Sequence, residues 1–273
     1  MKTTMLPLFL SCLFCFALSL ANGCGNRASN PTEPKRKEGE AGYRMALPIN
    51  GVEYAFRWCP PGTFMLGSPV SEARRDNDET QHQVTLSRGF WMLETEVTQE
   101  MWKKVMGNNP SNFKGVKLPV EQVSWNDCQE YIKKLNEIKV ASAGFKFSLP
   151  TEAQWEYACR AGTRTAYYFG DTLTQQQANF GGNQTKDVGS YPANAWGLKD
   201  MHGNVWEWCA DWKGDYPSGT VTDPVGSPTG SYRVIRGGSW IYCAGGCRSA
   251  LRSDYFLAYR RLNLGLRLSL VSQ

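Results

Sequence analysis

From Thr163 to the C-terminus no segment repeats its apolar residues at the three- and four-residue spacing of a helix. A stretch of this kind can bury its side chains only through short strands and turns. The composition suits that demand, because the 273 residues include 27 Gly and 14 Pro for turns and 10 Trp for broad apolar area. The closing LNLGLRLSLV alternates apolar and other residues and predicts a final strand. Helices are therefore expected only before Gly162. Thr98 can cap TQEMWKKVMG, which Gly107 closes, and Ser124 precedes a helix with Asp127 at its third position and Cys128, Tyr131, Ile132 and Leu135 on one face. Thr151 and Gln154 have capping-box spacing at the head of EAQWEYACRAG, with Gly162 past its end. EYAFRWCPPGTFMLGS and HQVTLSRGFWMLETEVT read as extended segments ahead of the helices. The class is α+β, a single domain from 43 to 273 with few helices and much irregular coil.

Lys2 and the apolar run from Met5 to Leu20 have the layout of a secretory signal peptide, read as residues 1–23. Cys24 follows Ala21-Asn22-Gly23, which resembles a bacterial lipoprotein box, so it either carries lipid or marks a segment simply cleaved and released. Residues 24–42 are too polar to bury anything and read as a flexible tether. The chain is thus expected to be exported to the periplasm or cell envelope, with a lipid anchor as its only membrane contact. Six cysteines then remain, Cys59, Cys128, Cys159, Cys209, Cys243 and Cys247, and the count permits disulfides without fixing them. The formal charge of +5 is dispersed among acids, as in SEARRDNDE, and excludes a nucleic-acid footprint.

Three local patterns bear on chemistry. In DMHGNVWEW, Asp200 and Glu207 supply hard carboxylate oxygens around Gly203, a set suited to calcium; the alternative is a tight turn with solvated acids. His202 reads as a structural residue, since His82 is the only other histidine and no multi-histidine metal centre can form. Trp206, Trp208 and Trp212 read as core, with a sugar-stacking platform as the other possibility. Cys243 and Cys247, four apart in a glycine-rich loop, are a thiol pair, a metal clamp or two unrelated sulfurs, and spacing does not choose among these.

LPTEAQWEYACRAGT, GLKDMHGNVWEWCADW, RVIRGGSW and NLGLRL occur in one order, and together they resemble the formylglycine-generating enzyme (sulfatase-modifying factor) family over about Glu53 to Leu270. The resemblance implies a compact domain related to the C-type lectin fold with bound calcium. It implies one calcium site at the side chains of Asp200 and Glu207 with the carbonyls of Gly203 and Val205, and a second at Asn179 and the Phe180 carbonyl, completed by Asn183 or Asp187 in a shortened loop. Active members use copper held by two cysteines, with oxygen, to convert a sulfatase cysteine to formylglycine. Here only IYCAGG separates GGSW from CRSA. The match makes Cys247 a structural cysteine disulfide-bonded to Cys159, leaves Cys243 alone, and places Ser239 at the family's active-site serine. Two functions follow as expectations: a calcium-stabilised binding or scaffold module holding a protein or glycan in the envelope, or an active copper-dependent oxidoreductase with a sulfatase as client. Iron-dependent relatives rely on a histidine-rich site in an additional domain and rank last.

Overall fold

A computed structural model describes residues 36–138 and 144–272, and the expected signal segment, Cys24 and most of the tether lie outside these. In chain order the strands and helices are β1 Arg44–Ile49, β2 Val52–Cys59, β3 Gly62–Leu66, β4 His82–Leu86, β5 Phe90–Leu93, α1 Gln99–Met106, α2 Trp125–Ile138, β6 Phe145–Ser148 and α3 Glu152–Arg160. After α3 come only strands β7 Trp206–Trp212, β8 Val221–Thr222, β9 Tyr232–Arg236, β10 Arg252–Phe256, β11 Leu264–Leu266 and β12 Ser269–Ser272, with a 3-10 turn at Ala244–Cys247.

The helix ends form where side-chain chemistry predicts them. Thr98 accepts from the Met101 N–H, and Gly107 closes α1 in the left-handed conformation. Ser124 Oγ accepts from the Asp127 N–H at 3.2 Å while Asp127 accepts back from the Ser124 N–H at 2.8 Å. Thr151 and Gln154 make both bonds of a capping box. At the far end of α3 the left-handed cap is Ala161, φ 44, one residue before the expected glycine.

Three sheets carry the fold, in strand orders β1-β2-β5-β12-β6, β10-β9-β7-β11 and β3-β4-β8. The C-terminal segment ties two of them together. Leu264 pairs in parallel with Trp206 in the second sheet, and after Arg267 the chain enters the first sheet, where Leu270 lies between Trp91 and Phe147. Residues 263–270 are consequently buried on both sides, not on alternate faces as the sequence pattern predicts. The main core packs Tyr131, Ile132 and Leu135 of α2 against this sheet, together with Trp206 and Trp208. Trp208 is fully buried, and its indole N–H reaches the Val123 carbonyl at 3.0 Å, so its one polar atom is satisfied. Trp212 is only half-buried.

The stretch expected as a tether is in contact with the domain from Arg36 onward. Arg36 donates to the Ala41 and Ala195 carbonyls, and the Gly42 N–H bonds to the Trp58 carbonyl at 2.7 Å. Gly42 has φ +78, and a Cβ there would stand 2.7 Å from the Trp196 carbonyl oxygen, so the close approach requires glycine.

Candidate functional site

The acidic turn between Leu198 and β7 divides the two expected calcium donors. Glu207, on β7, is engaged elsewhere. Its oxygens accept from Arg267 Nη2 at 2.7 Å and Nε at 2.9 Å, and Oε2 also accepts from the Trp155 indole N–H at 2.7 Å. Arg267 and Glu207 are buried, so this pair compensates two charges that would otherwise be stranded inside the protein. Glu207 is a structural anchor in this arrangement, not an open ligand.

Asp200 is different. It sits in the left-handed region, φ 59, a conformation that aspartate and asparagine tolerate. One of its oxygens accepts from the Gly189 N–H, and the other is buried without a partner. Glu96, within LETEVT after β5, shows the same pattern: Oε1 accepts from Asn204 Nδ2 at 3.0 Å and Oε2 is buried and unpartnered. Burial raises the Glu96 carboxyl well above its ordinary range, and the charge of Asp200 raises it further. Burial likewise pushes Asp200 up to about 6. Two carboxyls with orphaned buried oxygens form a centre whose chemistry fits a hard cation, and Glu96 and Asp200 would hold it. Glu96 was not among the expected donors, and in LETEVT nothing local distinguishes it from Glu94.

Asn204 links this centre to the other expected calcium loop. Its side chain accepts from Asn179 Nδ2 at 3.1 Å and from the Lys186 N–H at 3.0 Å. Gly203 lies so close to Asn179 that a Cβ would stand 2.3 Å from the Asn179 carbonyl oxygen, which locks the two loops together. Val205 is buried in the same turn. The Phe180 carbonyl accepts from Gln175 Nε2 at 3.3 Å, and Asn183 and Asp187 are exposed.

In the cysteine loop the implied disulfide is absent, and Cys159 and Cys247 are both buried free thiols. The His202 ring bridges them. Its Nδ1 donates to the Cys247 carbonyl at 2.8 Å, and its Nε2, which accepts from the Tyr168 N–H at 3.1 Å, stands 4.0 Å from Cys159 Sγ. Burial pushes its pKa down to about 3, outweighing the opposing hydrogen bond to the Cys247 carbonyl, and it stays neutral. Cys247 lies under Gly238, whose Cβ would come 2.6 Å from its sulfur, and burial raises its thiol to about 12. Ser239 is also buried, its hydroxyl accepting from Asn263 Nδ2 at 2.9 Å.

Cys243 alone is exposed among the described cysteines. The Gly246 N–H, and then Arg74, hold its thiol below the ordinary cysteine value; Arg74 Nη1 is 3.3 Å from Sγ. Beside it opens a groove of about 550 Å³ lined by Arg74, Tyr167, Asp171 and Arg248, the last neutralised by Glu79 and Glu72. Copper(I) demands two reachable soft donors, and the loop offers one, so the residues present do not fit that ion.

On the other flank of the loop lies an aromatic surface absent from the sequence reading. Tyr242 packs edge-on against Trp206 at 5.4 Å and lies beside Tyr255, which stacks on Tyr259 at 5.3 Å. The Arg261 guanidinium covers Tyr259 at 4.9 Å and Tyr255 at 5.6 Å. Ile241 (56%), Tyr242 (38%), Tyr259 (41%) and Leu262 (36%) remain exposed, so a substantial part of this apolar area faces solvent.

Comparison with known proteins agrees with this geometry. The chain is 36% identical over 164 residues to the formylglycine-generating enzyme of Streptomyces coelicolor, covering 53% of this chain and 48% of that enzyme. It is 32% identical over 211 residues to the chaperone protein LppX of Paenibacillus barcinonensis, covering 58% of this chain and 71% of LppX. Of a serine/threonine-protein kinase pkn1 from Chlamydia caviae, 38% identical over 152 residues, the match spans 54% of this chain but 22% of the kinase. Among solved structures, Treponema denticola variable protein 1 superposes with a TM-score of 0.75 at 30% identity, over 83% of this chain and 98% of that one. PvdO from Pseudomonas aeruginosa gives 0.73 at 26%, over 85% and 98%. The fold is that of formylglycine-generating-enzyme-like domains, related to C-type lectins. Residues 53–270 match the sulfatase-modifying factor enzyme 1-like domain, and the chain belongs to that family.

Proposed function

We propose that this chain is a non-catalytic binding module of the cell envelope, stabilised by calcium at Glu96 and Asp200, that holds a protein partner on the aromatic surface around Tyr255. One observation carries the reading. Of the two loop sulfurs, Cys243 is exposed and Cys247 is buried beneath Gly238, so the loop presents a single thiol where copper chemistry needs two. Bound calcium would supply positive charge to two buried carboxyls and tie the β5–α1 segment to the turn before β7. That role is structural, and Arg267 with Glu207 supports the same turn from below. Exposed tyrosines with a stacked arginine are the residue types that dominate protein interfaces. Placement in the envelope, with or without lipid at Cys24, rests on the N-terminal segment.

A formylglycine-generating oxidoreductase is the second reading. It is favoured by the lowered thiol of Cys243 beside a groove large enough for a peptide. The two separate in a pull-down from envelope extract. The binding module predicts that Cys243→Ser retains its partner and that Tyr255→Ala with Tyr259→Ala loses it; a partner kept by the tyrosine variant and lost by Cys243→Ser would reject it.

A further inference from the structure

A second cavity, of about 390 Å³, opens between β3, the last turn of α3 and the loop that carries Trp196. It shares no residue with the aromatic surface and only Arg164 with the groove beside Cys243. Three aromatic side chains line it: the Phe64 and Tyr157 rings lie 5.0 Å apart, and the Tyr157 and Trp196 rings 4.9 Å apart. Tyr157 is 8% exposed, and its hydroxyl has no hydrogen-bond partner among the described residues. The Trp196 indole N–H has none either. Neither atom is sealed from water, so each has solvent as its partner in the free protein.

The walls are fixed to one helix. Glu156 accepts from the Gly67 N–H at 2.9 Å and Arg160 Nη2 donates to the Gly67 carbonyl at 3.0 Å, so α3 grips the end of β3. Asn194 donates to the Ala158 carbonyl at 2.8 Å and accepts from the Trp196 N–H at 2.9 Å, which ties the Trp196 loop to α3 as well. A site built this way orders little on binding. Its charge is one-sided. Arg160 is neutralised by Glu156 at 2.8 Å, no acid among the described residues lines the cavity, and Arg164 is exposed without an ion pair among them. Gln83 of β4 and Gln81 before it add exposed side-chain amides that also lack partners among the described residues.

We infer that this cavity is a binding site for a carboxylate-bearing sugar, a hexuronate unit of an acidic glycan. The C–H face of a pyranose ring is apolar and slightly positive, and it matches the negative faces of aromatic rings. Sugar hydroxyls donate and accept, which suits the Tyr157 hydroxyl, the indole N–H and the two amides. The carboxylate supplies the counter-charge that Arg164 lacks, in a planar form that a guanidinium binds through two bonds. A simple anion would use Arg164 alone and a neutral sugar would leave it unpaired, so the lining favours both features in one ligand. The volume falls within the usual range for small-ligand sites.

The test uses the full chain, with D-glucuronate and D-galacturonate as probes and D-glucose and acetate as comparators, titrated by calorimetry and by ligand-observed NMR at one ionic strength. At least one uronate binds saturably, about tenfold or more tighter than either comparator, the worth of a charge-assisted bond. Arg164→Gln, at an exposed position, removes the advantage over glucose, and Tyr157→Phe, which keeps the ring, weakens the uronate by about threefold to tenfold. Absence of saturable uronate binding to the folded wild type, glucose or acetate bound as tightly as the uronates, or equal uronate affinity in wild type and both variants overturns the assignment. The aromatic surface around Tyr255 is tested with its own variants, so failure here leaves that reading standing.

Discussion

Replacing Glu207 by Gln separates a structural role from a metal-binding one. The substitution keeps shape and one acceptor oxygen but leaves the fully buried Arg267 guanidinium without its counter-charge. Arg267 retains bonds to the Leu93 carbonyl at 3.1 Å and the Lys199 carbonyl at 2.9 Å, which hold its position and neutralise nothing. Breaking a buried ion pair from one side costs about 3–5 kcal/mol. For a domain of this size that lowers Tm by about 10 °C. Thermal and urea unfolding are measured with excess EDTA and again with calcium at saturation. Glu207→Gln loses the same amount in both, because its carboxylate belongs to Arg267. Asp200→Asn and Glu96→Gln behave oppositely: they remove the stabilisation that calcium confers on the wild type, about 2.7 kcal/mol at a hundredfold excess over Kd. A Glu207→Gln protein that is as stable as wild type in EDTA but no longer gains from calcium would refute the reasoning and return Glu207 to the ligand set.

Asp211 gives the fold a pH dependence. Burial first, then repulsion from Glu152, raise its carboxyl from 3.8 to about 7, so the folded chain binds this proton more tightly than the unfolded one. Stability from this group is therefore lost as pH rises through that window, by on the order of 4 kcal/mol. Asp211→Asn flattens the slope in denaturant titrations between pH 4 and about 7; an unchanged slope rejects the assignment. A thiol reagent at neutral pH modifies Cys243 alone among the described cysteines, and Arg74→Ala slows that reaction; mass mapping that finds Cys159 or Cys247 labelled in the folded protein contradicts the burial described.

The sequence is most informative where chemistry is local. The caps at Thr98, Ser124 and Thr151 depend on residues three positions apart, and all three form. It is least informative where partners are remote. Nothing in DMHGNVWEW distinguishes an aspartate with a free oxygen from a glutamate claimed by an arginine sixty residues later. The residue that joins Asp200, Glu96, comes from the segment after β5, and only the packed fold brings them together. Arg267 falls on the non-apolar positions of an alternating run that predicts a final strand; in the fold it sits at the crossing between two sheets, with no water-facing side. The Cys159–Cys247 bond followed from family resemblance, and the structure holds both as buried free thiols, with the His202 imidazole reaching from the Cys247 carbonyl to Cys159 Sγ.

The central claim is that one reachable thiol cannot run the family's oxidation. Co-expression with a sulfatase peptide carrying Cys-x-Pro-x-Arg, with copper and oxygen supplied, followed by mass spectrometry of the peptide, tests it directly. The account predicts that the peptide keeps its cysteine. Conversion of that cysteine to formylglycine, abolished in Cys243→Ser, would contradict it.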